Sequence, residues 1–208
     1  RPPLSPPPPS CGDAVYDRFR GVWVPRADGL CSPPPPAPPR TPFDYLRSAE
    51  VVPSSLQPAY FSVAEDLLQV VKERLEAHPA KQIRLHGDLH VGNLLWRDDS
   101  LYMVDLDDCR MGPAVQDLWM MLSGERDQRQ GQLSELIDGY NEFHDFNPAE
   151  LALIEPLRSL RLVHYSAWLA RRWEDPAFPM HFPWFAQERY WADQILTLRE
   201  QRAALDEP

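Results

Sequence analysis

Cysteine is scarce in this chain of 208 residues, and what is missing narrows its possible roles before any motif is considered. The three cysteines, Cys11, Cys31 and Cys109, are odd in number and far apart, so no disulfide framework is expected and a reducing cytoplasm is the natural compartment. No apolar run approaches the length of a membrane span and no signal-peptide pattern is present, so no membrane partner is expected. Positive charge is short as well. Against 31 Asp and Glu there are 21 Lys and Arg, a net charge of -10, which argues against a nucleic-acid partner because phosphate backbones bind basic faces. The first forty residues contain no Lys, no Gly-x-Gly-x-x-Gly loop and no alternating apolar run long enough for a sheet.

Proline, by contrast, is abundant there. Pro6–Pro9 and Pro33–Pro36, with Pro38-Pro39 following, forbid helix and interior sheet, and the chain begins with Arg1 and not Met. Three readings of residues 1–40 stand side by side. They form a disordered or polyproline II leader. They are an out-of-frame stretch of a GC-rich gene, since Pro, Arg and Ala are what such codons give and an ordered pattern starts abruptly at Thr41-Pro42-Phe43-Asp44. Or they offer a P-x-x-P ligand to a polyproline-binding domain. Residues 41–203 are then one domain with room for a sizeable core, and residues 204–208 a tail.

The chemistry concentrates in His86-Gly87-Asp88-Leu89-His90-Val91-Gly92-Asn93 and, a little further on, Val104-Asp105-Leu106-Asp107-Asp108. One carboxylate sits in a Gly-containing loop, a side-chain amide follows, and a second carboxylate ends an apolar run. Phosphoryl transfer needs that set: a carboxylate to receive or orient the hydroxyl proton, and oxygen ligands that hold Mg²⁺ against the phosphates. Ile83-Arg84-Leu85 reads as a strand entering the loop. Asn93–Trp96 and Leu101–Val104 read as a hairpin turned at Arg97-Asp98-Asp99-Ser100, which would bring Asn93 beside Asp105 and both beside Asp88. The plainer reading makes these residues ordinary turn formers, and His86 with His90 two hairpin histidines or a zinc pair, although no Cys/His partner set lies at ligand spacing. His86 suits a hydrogen-bonding strut better than a base. Asp107 is a possible further metal ligand, Asp108 a solvating or capping residue, and Arg110 has three choices: Asp105, Asp108 or a phosphate. Asp117 falls on an apolar face, where an unpaired carboxylate would be costly.

Around this site the pattern is helical. Ser62-Val63-Ala64-Glu65 is a capping box, followed by an apolar face of Ala64, Leu67, Leu68, Val71 and Leu75. Val115, Leu118, Trp119 and Leu122 form a second face, and Leu133, Leu136, Ile137 and Tyr140 a third. Asn147-Pro148 starts a helix that Pro156 kinks or divides, and Gln187, Trp191, Gln194, Ile195 and Leu198 mark the last one. Trp168, Trp173, Trp184 and Trp191 suit core packing better than a ligand cage.

The two loops resemble those of the aminoglycoside-phosphotransferase/choline-kinase-like superfamily. Arg84–Asp88, Asn93–Asp98, Asp105–Asp108, Gly112–Trp119, Ile154–Arg158 and Trp168–Pro179 are similar, more narrowly, to the bacterial stress response kinase A family, over about residues 41–200. That resemblance implies an α+β, protein-kinase-like fold, here a mainly helical C-terminal lobe with a small catalytic-loop hairpin. It implies an ATP- and Mg²⁺-dependent serine/threonine protein kinase, cytoplasmic, acting in survival under envelope or oxidative stress, and a monomer when intact. By position, Asp88 would be the catalytic base, Asn93 and Asp105 the metal ligands, with Asp107 a possible third, and Asp105 would count with Asp88 as catalytic. Asp117 would accept hydrogen bonds from the catalytic-loop backbone, and His86 would support the loop. The N-terminal lobe that cradles nucleotide has no counterpart in the first forty residues, so these 208 residues are expected to be inactive alone. A small-molecule acceptor of the aminoglycoside, choline or homoserine type, and a non-catalytic binding module, are the alternatives.

Overall fold

The computed structural model describes residues 14–17, 22–25 and 41–206. The chain divides into two units, residues 1–38 and 39–208. In the first, β1 (Ala14–Asp17) pairs antiparallel with β2 (Val22–Pro25), Ala14 opposite Pro25 and Asp17 opposite Val22. The expectation of no sheet here is thereby corrected. Four residues per strand suffice in a sequence of types that favour extended backbone, AVYD and VWVP. The remaining leader readings lie outside the described residues.

The second unit is mostly helical. Thr41 caps α1 (Pro42–Ser48), its hydroxyl oxygen accepting from the Asp44 backbone N–H at 3.1 Å. Next comes α2 (Gln57–Ala77), which begins five residues before Ser62. The Ser62–Glu65 capping box is therefore interior helix; Pro58, preset in φ and needing no N–H partner, opens the first turn instead. After the site segment come α3 (Val115–Trp119), α4 (Arg126–Asn141), α5 (Ile154–Arg172), α6 (Ala177–His181) and α7 (Glu188–Ala204). Asn147 caps its segment as expected, but residues Pro148–Leu153 form a 3-10 turn and the break falls before Ile154. That break puts Pro156 in the first turn of α5, where the missing donor is not needed.

Helix α2 packs on both α5 and α7, and α1 lies against α5. The core between them contains Leu46, Tyr60, Leu67, Val71, Val163, Leu169, Phe185, Trp191 and Leu198. Each such side chain fully buried contributes about 1.5–3 kcal/mol. Trp191 is the anchor: fully buried, edge-on to Tyr60 at 5.2 Å, its indole N–H donating to the Phe185 carbonyl at 3.1 Å. Trp168, Trp173 and Trp184 pack against this core as partly buried neighbours. A smaller cluster of Ala114, Val115, Phe146 and Leu153, with Ile83 against it, lies under the site segment. There the buried carboxylate of Glu150 accepts the Val115 N–H at 3.1 Å and pins the start of α3.

Two small antiparallel sheets carry the site. Strand β3 (Ile83–Leu85) pairs with β6 (Arg110–Gly112), Ile83 opposite Gly112. Strand β4 (Leu94–Arg97) pairs with β5 (Ser100–Met103) through a two-residue turn, Asp98-Asp99, with φ of +50° and +55°. Two positive φ values are what a type I′ hairpin demands, and Asp tolerates them better than most residues. Among the described residues no helix is long and apolar enough to cross a membrane.

Candidate active site

Strand β3 delivers the chain into a sharp bend at His86-Gly87-Asp88. Gly87 has φ of +88°, and a Cβ added to it would collide with the Asp108 carbonyl oxygen and lie 2.8 Å from Arg110 Nε. Glycine is needed on both counts, and its bareness lets the Asp88 loop rest on the Asp107–Arg110 loop. Both amides of the bend are held by one carboxylate in α3: Asp117 accepts from His86 N–H at 2.7 Å and from Gly87 N–H at 3.0 Å. Removing that acceptor would strand two largely buried donors. Asp117→Ala is expected to lower stability by about 1–3 kcal/mol, read by urea unfolding, with activity falling in step. A variant of normal stability but no activity would make Asp117 a site residue.

His86 is buried and bonded at both ring nitrogens. Nε2–H donates to the Val104 carbonyl at 2.8 Å, which leaves Nδ1 to accept the Asp88 backbone N–H at 3.4 Å. The Val104 amide is held as well, its N–H donating to the Asn93 carbonyl at 3.0 Å. One residue thus ties the end of β5 to the loop of Asp88 and Asn93 through both of its backbone groups, which fixes where the chain enters Asp105. Asn93 is buried and donates Nδ2–H to the Asp88 carbonyl at 2.9 Å, leaving Oδ1 as the atom that can face a cation. His90 Nδ1 accepts from Gly92 N–H at 3.0 Å, and its Nε2 lies 3.8 Å from Asp88 Oδ2.

Asp105 adopts φ +63°, ψ +60°, a left-handed conformation that few residues other than Gly adopt. It turns the chain out of β5 into the short 3-10 turn Leu106–Asp108 and leaves its carboxylate exposed, with no capping bond. Asp107 is exposed in that turn. Arg110 takes Asp108 of its three options, donating from Nε to the Asp108 carbonyl at 3.1 Å, with Nη2 3.7 Å from its carboxylate. Among the described residues no three His, Cys, Asp or Glu side chains are preassembled around a metal position. Asn93 Oδ1 and the Asp105 carboxylate offer two hard oxygen ligands. That number fits a cation such as Mg²⁺ that keeps several waters and shares phosphate oxygens.

Arg161, from α5, escapes the sequence reading. Its Nη1 lies 2.7 Å from Asp88 Oδ1. The signal was the spacing Arg158-x-x-Arg161-x-x-His164, which puts three basic groups on one helix face. His164 is half-buried; desolvation lowers its pKa from the usual histidine range, and the nearby Arg110 charge lowers it further.

Known proteins share much of this sequence. The sequence profile of the phosphotransferase enzyme family matches residues 22–154. Stress response kinase A of Escherichia coli K12 is 49% identical over 170 residues, covering 80% of this chain and 50% of that protein. Stress response kinase A of Shigella flexneri is 48% identical over the same length and coverage. Serine/threonine protein kinase RdoA of Salmonella typhimurium LT2 is 49% identical over 167 residues, again 80% of this chain and 50% of the relative. The chain spans about half the length of the curated relatives it matches.

Proposed function

The chain belongs to the phosphotransferase enzyme family, and from that premise we propose that it is the helical, catalytic-loop lobe of a stress-response serine/threonine protein kinase using Mg²⁺-ATP in the cytoplasm. The observation that supports the reading is the Val104 backbone, whose N–H donates to the Asn93 carbonyl and whose own carbonyl accepts from His86, tying the residue before Asp105 to the loop of Asp88 and Asn93. Asn93 Oδ1 and the Asp105 carboxylate would hold the metal, with Asp107 as the further candidate ligand. A cation held there would supply positive charge against the phosphate oxygens. Asp88 Oδ1 faces Arg161, so Oδ2 is the oxygen left to take the proton of the acceptor hydroxyl. His86 and Asp117 fix the bend from which Asp88 projects.

The β4–β5 hairpin beside the site bares Leu95, Trp96, Leu101, Tyr102 and Met103, with Trp96 71% exposed. Such a patch is what the strands of a nucleotide-cradling lobe would cover. In a protein carrying a family-like N-terminal lobe before Thr41, transfer from Mg-ATP to a serine- or threonine-bearing protein is the decisive assay. Asn93→Ala and Asp105→Ala are expected there to weaken metal-dependent nucleotide binding by about tenfold or more. Unchanged affinity in both would remove them as ligands. Transfer confined to hydroxyl-bearing small molecules would replace the protein acceptor.

A further inference from the structure

Next to Asp88 lies a cavity of about 390 Å³ lined by Trp119, Arg129, Arg158, Arg161, Leu162 and Tyr165 among others, with no carboxylate in its wall. In a chain of net charge -10, three arginines lining one cavity that no Asp or Glu lines are conspicuous. Two of the three are poorly satisfied within the fold. Arg129 Nε is buried and has no hydrogen-bond partner among the described residues. Arg158 lies 5.5 Å over the Trp119 ring, with only a loose 3.7 Å pair to Glu155. Arg161 lines the cavity and also reaches Asp88 Oδ1 at 2.7 Å, so it joins the cavity to the proposed base. A buried guanidinium N–H without an acceptor is costly, and a carboxylate is its best-matched partner.

We propose that this cavity receives an acidic side chain, Asp or Glu, of the protein acceptor, a few positions from the phosphorylated hydroxyl. This rests on the kinase reading above and supplies its acceptor class. An extended acceptor spans about 3.3–3.6 Å per residue, so a nearby acid can enter the cavity while the hydroxyl stands at Asp88. An acceptor carboxylate that engages Arg161 competes with Asp88 for the guanidinium. Docking of the correct acceptor and release of Asp88 Oδ1 are then one event. The same wall repels cationic acceptors, which separates this lobe from a site built for aminoglycosides.

The test titrates the purified 208-residue chain with labelled peptides, identical except for a Glu, Gln or Lys flanking the serine, and reads fluorescence anisotropy. The Glu peptide is expected to bind about tenfold more tightly than its Gln twin, with the Lys peptide weakest. Arg129→Gln and Arg158→Gln should each remove most of that preference with thermal unfolding unchanged. Arg189→Gln, an exposed charge on α7, should keep it. Equal binding of the Glu and Gln peptides, or no binding of any, overturns the proposal. Inorganic phosphate competing as well as the Glu peptide would reveal a free-anion site and overturn it too. Mn²⁺ binding, read by electron paramagnetic resonance on the same samples, separates the two levels. A lost Glu preference with Mn²⁺ still dependent on Asn93 and Asp105 sinks the cavity assignment alone. Mn²⁺ indifferent to both residues sinks the kinase reading, and the acceptor with it.

Discussion

Asp88→Asn, in a version carrying a family-like N-terminal lobe before Thr41, is expected to lower phosphoryl transfer about 10²–10⁴-fold, the usual contribution of a positioned general base. The loss should fall on kcat, with the KM for Mg-ATP unchanged, because Asp88 meets the acceptor and not the nucleotide. Asn is close to isosteric with Asp, and the Asp88 backbone carbonyl would still receive Asn93 Nδ2–H, so the loop should keep its shape. What changes is one function: an amide cannot take the hydroxyl proton. The ion pair to Arg161 is lost as well, but at a site where both groups are partly exposed its effect on stability should be small. Near-normal turnover by Asp88→Asn would show that the base lies elsewhere.

Gly87→Ala is expected to be strongly damaging, costing about 2–5 kcal/mol. The left-handed backbone contributes about 1–2 kcal/mol of that and the forced contact with its neighbours the rest. The new Cβ would press on the Asp108 carbonyl and on Arg110 Nε, and both belong to the loop that follows Asp105. Stability and metal-dependent binding should therefore fall together. Gly139, in α4 with nothing within 4 Å of an added Cβ, gives the control. Gly139→Ala should be neutral or raise stability by up to about 1 kcal/mol, as Ala does over Gly in an exposed helix. Equilibrium urea unfolding of the two variants reads both effects. Equal stability of Gly87→Ala and the parent would mean that the bend relaxes freely and does not fix Asp88.

Much of this lobe is legible in the sequence because its signals are local. The apolar faces of α2, α4 and α7 recur at helical spacing, and Asp98-Asp99 between two apolar runs announces the hairpin that sets Asn93 near Asp105. Boundaries were less legible. A capping-box pattern also occurs inside helices, as at Ser62, whereas Pro58 in the first turn marks the true start of α2. The break before α5 follows the same physics, since a proline fits the first turn of the new helix better than the end of the old one. Strand β6 carries no pattern of its own in Arg110-Met111-Gly112 and exists only because β3 offers it an edge. Strands β1 and β2 were hidden by the prolines around them. Arg161 lies far along the chain from Asp88, and only the packing of α5 against the site segment brings the two together.

The most direct measurement is Mg-ATP turnover by the purified 208-residue chain, beside the version with a family-like N-terminal lobe fused before Thr41, each given a generic serine/threonine protein acceptor. Phosphoryl transfer depends on positioning and on charge stabilisation from both sides of the nucleotide. The chain has Asp88, Asn93 and Asp105 on one side, but no Lys and no glycine-rich loop in its first forty residues to meet the phosphates from the other. The chain alone should remain at background and self-associate through the apolar surface of its β4–β5 hairpin, whereas the two-lobed version should transfer phosphate and lose that activity with Asp88→Asn. Comparable turnover by both proteins would contradict this, and would mean that residues 1–40 themselves build the nucleotide clamp.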